Sequence, residues 1–173
     1  MPDRRYTVLP ALALALIVMA ALVVPASAAV SVGDKAPNFT LDSVDGKSTL
    51  KLSDYTGKPT LLVFWASWCP HCQREAPLLQ GIYRDLAAKG MNAIGVSADD
   101  TIGDAQDYVQ SYGLTFPNAF AGTTAGQQVL STYGLQGVPT IYIIDKDGVV
   151  RDKFMGETSA DTIKQALARL GVK

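Results

Sequence analysis

The chain has 173 residues, with 15 Lys and Arg against 16 Asp and Glu, for a formal net charge of −1. That length suits one domain with its own core, and a near-neutral balance without a basic run gives no footing for nucleic acid. Its two cysteines cannot build a disulfide framework, so this is not a stapled mini-protein.

The chain opens with Arg4 and Arg5. An almost continuously apolar run from Val8 to Val24 follows, then Pro25 and the small-x-small triplet Ala26-Ser27-Ala28. This is the pattern of a secretory signal peptide over residues 1–28, cut after Ala28. Cutting there removes two arginines and one aspartate and leaves 13 − 15 = −2. A retained segment would instead be a membrane anchor, though the run is short for a spanning helix. No cysteine lies near the cut, so a lipoprotein-type anchor is excluded. The domain, residues 29–173, is expected in the periplasm or an equivalent extracytoplasmic space. It touches a membrane only if the segment stays.

Val30 to Asn38 is a short lead-in. Phe39 to Leu41 and Ser48 to Leu52 read as two short strands around the turn Asp45-Gly46. Leu52 to Tyr55 reads as a loop or a single helical turn. Thr60 to Ala66 is apolar on both faces, as in a central strand covered by helices. A helix starts at Pro70, a good first-turn residue, with Leu79, Ile82, Tyr83 and Leu86 at helical spacing. Pro77 should kink it, and Gly90 should end it as a left-handed cap. Met91 to Val96 is the next strand, parallel to the one before the helix. Ala105, Tyr108, Val109 and Tyr112 mark a second helix, and Val129, Leu130 and Tyr133 a third, with a short strand, Phe116 to Phe120, between them. Thr140 to Asp145 and Val149 to Phe154 form a hairpin through Lys146-Asp147-Gly148. Thr158 to Asp161 resembles a capping box, and Ile163, Ala166, Leu167 and Leu170 form the core face of the last helix. The whole reads as one α/β domain.

Cys69-Pro70-His71-Cys72 carries the chemistry. It holds both cysteines and the only histidine of the chain. Zinc wants about four ligands in a tetrahedron, and no second ligand pair is present, so metal binding is not expected. A two-residue loop is also a poor staple, because closing it gains little. What remains is a redox pair beside a strand–helix–strand unit. Cys69 stands where free helix N–H groups favour a thiolate, and should attack a partner's disulfide. Cys72 lies nearly one turn inside, more buried, and should resolve the mixed disulfide. Trp68 should shield one side of the pair and meet the substrate.

The run Phe64-Trp65-Ala66-Ser67-Trp68-Cys69-x-x-Cys72 followed by Pro77 resembles the thioredoxin superfamily. More narrowly, the chain resembles the exported TlpA/ResA-type thiol–disulfide oxidoreductases. The residues are Val32-Gly33-Asp34-Lys35-Ala36-Pro37-x-Phe39-x-Leu41, Gly57-Lys58-Pro59, Glu75, Gly137-Val138-Pro139-Thr140 and Asp145-x-x-Gly148. The resemblance implies a thioredoxin-like three-layer fold with an N-terminal β-hairpin and an inserted strand–helix element. It implies no cofactor, partners among exported protein thiols and disulfides, and a membrane thiol carrier as electron donor. Apocytochrome c haem-site thiols, copper-site thiols and mispaired disulfides are its substrate precedents. It also implies a cis bond at Val138-Pro139 facing the cysteines, with the Val138 backbone free to pair with a substrate peptide.

Two departures matter. Thioredoxins carry a buried aspartate where this chain has Val63. The resemblance gives that work to Glu75, three residues from Cys72 on one helical face, whose partly buried carboxylate would take the Cys72 proton. The other departure is Pro70-His71, the pair found in the oxidase DsbA. His71 should donate to the Cys69 sulfur, tune its acidity and make the disulfide more oxidising. Disulfide reductase is the expected activity, with oxidase or isomerase of the same fold as the alternative. A thiol peroxidase is a lesser alternative. The front half resembles peroxiredoxins, but these need a proline and a threonine at set places ahead of the reactive cysteine, and neither stands there ahead of Cys72. A non-enzymatic binding domain is a third reading, weakened because both cysteines are kept.

Overall fold

A computed structural model describes residues 29–173. The expected signal segment, residues 1–28, lies outside the described residues. Two short strands, β1 (Thr40–Asp42) and β2 (Thr49–Lys51), pair antiparallel as a small hairpin. A 3-10 turn, Leu52–Tyr55, leads to β3 (Thr60–Trp65). Then come α1 (Pro70–Leu86), β4 (Asn92–Ser97), α2 (Ile102–Ser111), β5 (Asn118–Phe120) and α3 (Thr124–Thr132). The chain closes with β6 (Thr140–Ile144), β7 (Val150–Met155) and α4 (Ala160–Arg169).

The main sheet has the order β5-β4-β3-β6-β7. β3 is parallel to β4 and antiparallel to β6, so it lies at the centre of a mixed sheet. Its alternation sorts the core into two layers. Leu61, Val63 and Trp65 face α1, α2 and α4, through Leu79, Ile82, Ala105, Tyr108, Ile163 and Leu167. Leu62 and Phe64 face the hairpin and α3, through Leu41, Leu50 and Tyr133, with Val129 and Leu130 packed at the edge. Each side chain of this size is worth about 1.5–3 kcal/mol buried rather than exposed. This is the thioredoxin-like α/β fold, and β5 with α3 is the inserted strand–helix element.

Some elements match the sequence reading and others differ. As the spacing of Leu79, Ile82 and Leu86 led us to expect, the helix runs on through Pro77, because the proline removes only one of its hydrogen-bond donors while Ala76 and Leu79 stay packed in the core. Gly90 does end the turn after it, at φ 95°. β5 starts at Asn118 rather than Phe116, because Phe116 turns into the core beneath α1. The lead-in is more than a tail. Gly33 donates to the Val150 carbonyl at 2.8 Å and Ala36 to that of Gly148 at 2.9 Å, so it runs along the start of β7. Among the described residues no helix is long and apolar enough to cross a membrane.

Candidate active site

β3 ends at Trp65, and the turn Ala66–Trp68 delivers the chain to Cys69, the N-cap of α1. A cap needs an acceptor for the orphan N–H groups of the first turn. Here the Cys69 Sγ serves, accepting the Cys72 N–H at 3.2 Å. Pro70 fills the first helical position, where a missing N–H leaves nothing unpaired. Both thiols are free, and the Cys69 thiol donates to the Val138 carbonyl at 3.3 Å. The Val138–Pro139 bond is cis. The Val138 carbonyl is thus engaged by the cysteine itself, rather than free as the sequence reading had it. Both cysteines are buried and differ little in exposure, so what separates them is hydrogen bonding and neighbours.

Cys72 faces inward. Burial pushes its thiol well above the usual range, and the hydrogen bond to Cys69 and the nearby Glu75 charge add to this. Glu75 is 1% exposed. Its Oε1 accepts the Thr158 N–H at 2.9 Å, and its Oε2 finds no protein partner among the described residues. Burial raises its pKa from 4.5 to about 7, against the pull of the Thr158 N–H. Glu75 and Cys72 line one small cavity with Val63, Trp65, Tyr108 and Pro139, with about 10 Å³ for the centre of a water. Val63 and Glu75 therefore share a space. The carboxyl reaches it from the helix, and the strand position beneath is apolar.

Tyr108 was legible only as a core residue. Its hydroxyl donates to the Cys72 carbonyl at 2.6 Å. Its ring stacks on Trp65 at 4.2 Å between centroids, and the Trp65 indole N–H donates to Asn118 Oδ1 at 3.0 Å. Gly95 makes room for that bond, since an added Cβ would lie 1.9 Å from Asn118 Oδ1. The inserted strand β5 thus braces the wall behind Cys72.

The outward face of the same helical turn is different. Trp68 is 68% exposed, so packing does not account for it. His71 does not hydrogen-bond the Cys69 sulfur. Its Nδ1 lies 3.1 Å from Glu157 Oε2 and 2.7 Å from Arg74 Nη2. Glu157 accepts from Arg74 Nε at 3.1 Å and Nη2 at 2.9 Å. The expected contact with the sulfur is therefore replaced, because the loop after β7 brings a carboxylate to the ring's other side. Glu157, Thr158 and Arg74 were missed by sequence reasoning. The two partners on the loop lie over 80 positions from the α1 residues they meet, and no local pattern marks them.

Free thiols two residues apart at a helix start, a cis proline opposite and a buried carboxyl behind define a thioredoxin-fold thiol–disulfide oxidoreductase. The chain belongs to the AhpC/TSA family, whose model matches residues 32–153. It is 35% identical over 139 residues to the thiol-disulfide oxidoreductase ResA of Bacillus thuringiensis (strain Al Hakam), covering 80% of this chain and 78% of that one. ResA of Geobacillus thermodenitrificans is 34% identical over 139 residues, covering 80% of this chain and 78% of that one. Among solved structures, a candidate thiol:disulfide interchange protein DsbE of Chlorobium tepidum matches with TM-score 0.75 and 33% identity, over 82% of this chain and 99% of that one. A secreted Mycobacterium tuberculosis disulfide oxidoreductase homologous to E. coli DsbE matches with TM-score 0.65 and 26% identity, over 76% and 96%. Activity and fold are those of the ResA/DsbE type.

Proposed function

We propose that the protein reduces disulfides of other exported proteins in an extracytoplasmic space. The Cys69 thiolate attacks one sulfur of the substrate disulfide, and the other substrate sulfur leaves and takes a proton. Glu75, as carboxylate, accepts the Cys72 proton. The Cys72 sulfur then attacks Cys69 Sγ and the second substrate thiol is released. Two electrons have passed to the substrate, and the protein is left with a Cys69–Cys72 disulfide. A membrane thiol carrier restores the dithiol. Trp68, Val138 and Pro139 flank the sulfur that meets the substrate, and haem-site thiols of apocytochrome c are one fitting substrate class.

The observation that carries this reading is Glu75. A buried thiol held above its usual range needs a base, and a carboxyl with a pKa of about 7 in the same cavity is matched to the task at neutral pH. The His71 ring, whose Nδ1 lies against Arg74 and Glu157 and makes no hydrogen bond to the Cys69 sulfur, supports reduction over oxidation, because it does not add to the stability of the thiolate. The test is trapping in cells and insulin reduction in vitro, beside a peroxide-consumption assay. Cys69→Ser should abolish reduction, and Cys72→Ser should accumulate mixed disulfides through Cys69. Equal trapping by both variants would overturn the assignment of roles. A redox titration placing the pair near DsbA, about −120 mV, rather than thioredoxin, about −270 mV, would overturn the direction.

A further inference from the structure

We infer that Asp99 is a positioning residue of the active-site turn: by holding Ser67 it sets where the Cys69 sulfur stands. Asp99 follows β4 and is 1% exposed. Its Oδ1 accepts both the Ser67 N–H, at 2.9 Å, and the Ser67 hydroxyl, at 2.8 Å. Its Oδ2 accepts the Ser97 hydroxyl at 2.7 Å, and its own N–H donates to Ser97 Oγ at 3.1 Å. All these partners are neutral.

A buried carboxylate without a cation is costly unless its oxygens are hydrogen-bonded, and those of Asp99 take their bonds from Ser67 and Ser97. The place of those bonds is therefore informative. Ser67 is two residues before Cys69, and it is held from the other side as well. Gln73, in the first turn of α1, donates to the Ser67 carbonyl at 2.7 Å. The Cys69 N–H closes the turn onto the Ala66 carbonyl at 3.2 Å. Asp99 in turn cannot drift. The Ala98 N–H donates to the Trp65 carbonyl at 2.7 Å, and the Ser97 carbonyl accepts the Ala121 N–H at 2.9 Å. Gly122 packs so closely that an added Cβ would lie 2.7 Å from the Asp99 carbonyl.

The turn is thus clamped between the end of β4 and the helix it precedes. The Cys69 sulfur must meet the Cys72 N–H and also reach a substrate disulfide in line. A turn freed to shift by about 1 Å weakens the first and misaligns the second. Asp99 touches neither substrate nor sulfur, and it acts through Ser67.

The inference rests on Cys69 being the attacking thiol. It is tested by alkylating the reduced protein with iodoacetamide across pH, read by mass, beside insulin reduction. Asp99→Ala should slow Cys69 alkylation about tenfold, displace its pH profile, and lower kcat with KM little changed. Asp99→Asn keeps an oxygen for both Ser67 bonds and should restore most of the rate. Ser67→Ala, which loses only the hydroxyl bond, should fall between. If Asp99→Ala does not fold, Ser67→Ala and Asp99→Asn carry the test. A wild-type alkylation profile in Ser67→Ala, or in a folded Asp99→Ala with only a lower Tm, would overturn the inference. Alkylation reads the thiol and not the direction of electron flow, so failure of the reductase reading leaves this test standing.

Discussion

The first turn of α1 has an inner and an outer side, and they work under different physics. On the inner side, Cys72, Glu75 and Tyr108 meet in a small apolar cavity. A polar group there has few neighbours and no bulk water, so each contact or charge is felt strongly. On the outer side, His71, Arg74 and Glu157 form a tighter-looking cluster, yet water screens all three. More contacts do not mean more influence. The inner carboxyl is expected to govern the chemistry, and the outer one to adjust it.

The largest effect should come from Glu75→Gln. Removing the base should lower turnover about a hundredfold, the lower end of general acid–base contributions, and abolish the rise in rate through about pH 7. The same substitution should change stability with a definite sign. The Glu75 pKa is raised on folding from 4.5 to about 7, so between these values the native state holds a proton that the unfolded chain has lost. The stability this gives is complete below about 4.5 and is lost as pH rises through about 7. The full span corresponds to about 3 kcal/mol at most. Thermal melts should show wild type losing stability across that window and the variant staying level. Parallel curves would mean that Glu75 is not carrying the proton.

Tyr108→Phe should come next. It keeps the stack on Trp65 and removes only the hydroxyl that holds the Cys72 carbonyl. A single hydrogen bond of this kind is worth about 1 kcal/mol. We expect a loss of that size in denaturant titration, with slower release of mixed disulfides in stopped-flow. A stability loss with wild-type release would show that the bond braces the fold and leaves the resolving step alone.

These residues also show what a single chain reveals. The pair Cys69–Cys72, the proline at the helix start, the central apolar strand and the stop at Gly90 are local patterns, each readable from neighbours. Glu75 was readable because the family resemblance pointed to it and helical spacing ties it to Cys72. Tyr108 was assigned to the right face but not to its hydroxyl's task, because periodicity reports which side faces the core and not what a polar tip meets there. Asp99 and Glu157 depend on β4 and the loop after β7 arriving beside the cysteines. That is set by sheet order, not by spacing. His71 is the instructive case. Two residues from Cys69, it was expected to serve the sulfur, but a ring can turn, and here a distant carboxylate decides which way.

The smallest effect, and the sharpest test of the comparison, belongs to that carboxylate. The disulfide potential follows the relative stability of the thiolate, at about 30 mV for a tenfold change in the two-electron equilibrium. Had His71 donated to the Cys69 sulfur, its replacement by proline would lower the potential by tens of millivolts. With the ring on Glu157, His71→Pro should shift it by less than about 30 mV. Glu157→Gln removes the partner that draws the ring outward, so it should raise the potential slightly, and His71→Pro should abolish that rise in the double variant. Because all three side chains are exposed, the rise should fade in about 1 M salt, where the screening length is about 3 Å. The Glu75→Gln rate loss should persist in the same salt, since its cavity excludes the screening ions. Redox titrations with glutathione at low and high salt would check both. A large shift for His71→Pro alone would mean that the ring spends its time on the sulfur and that the outer side tunes this disulfide as strongly as the inner.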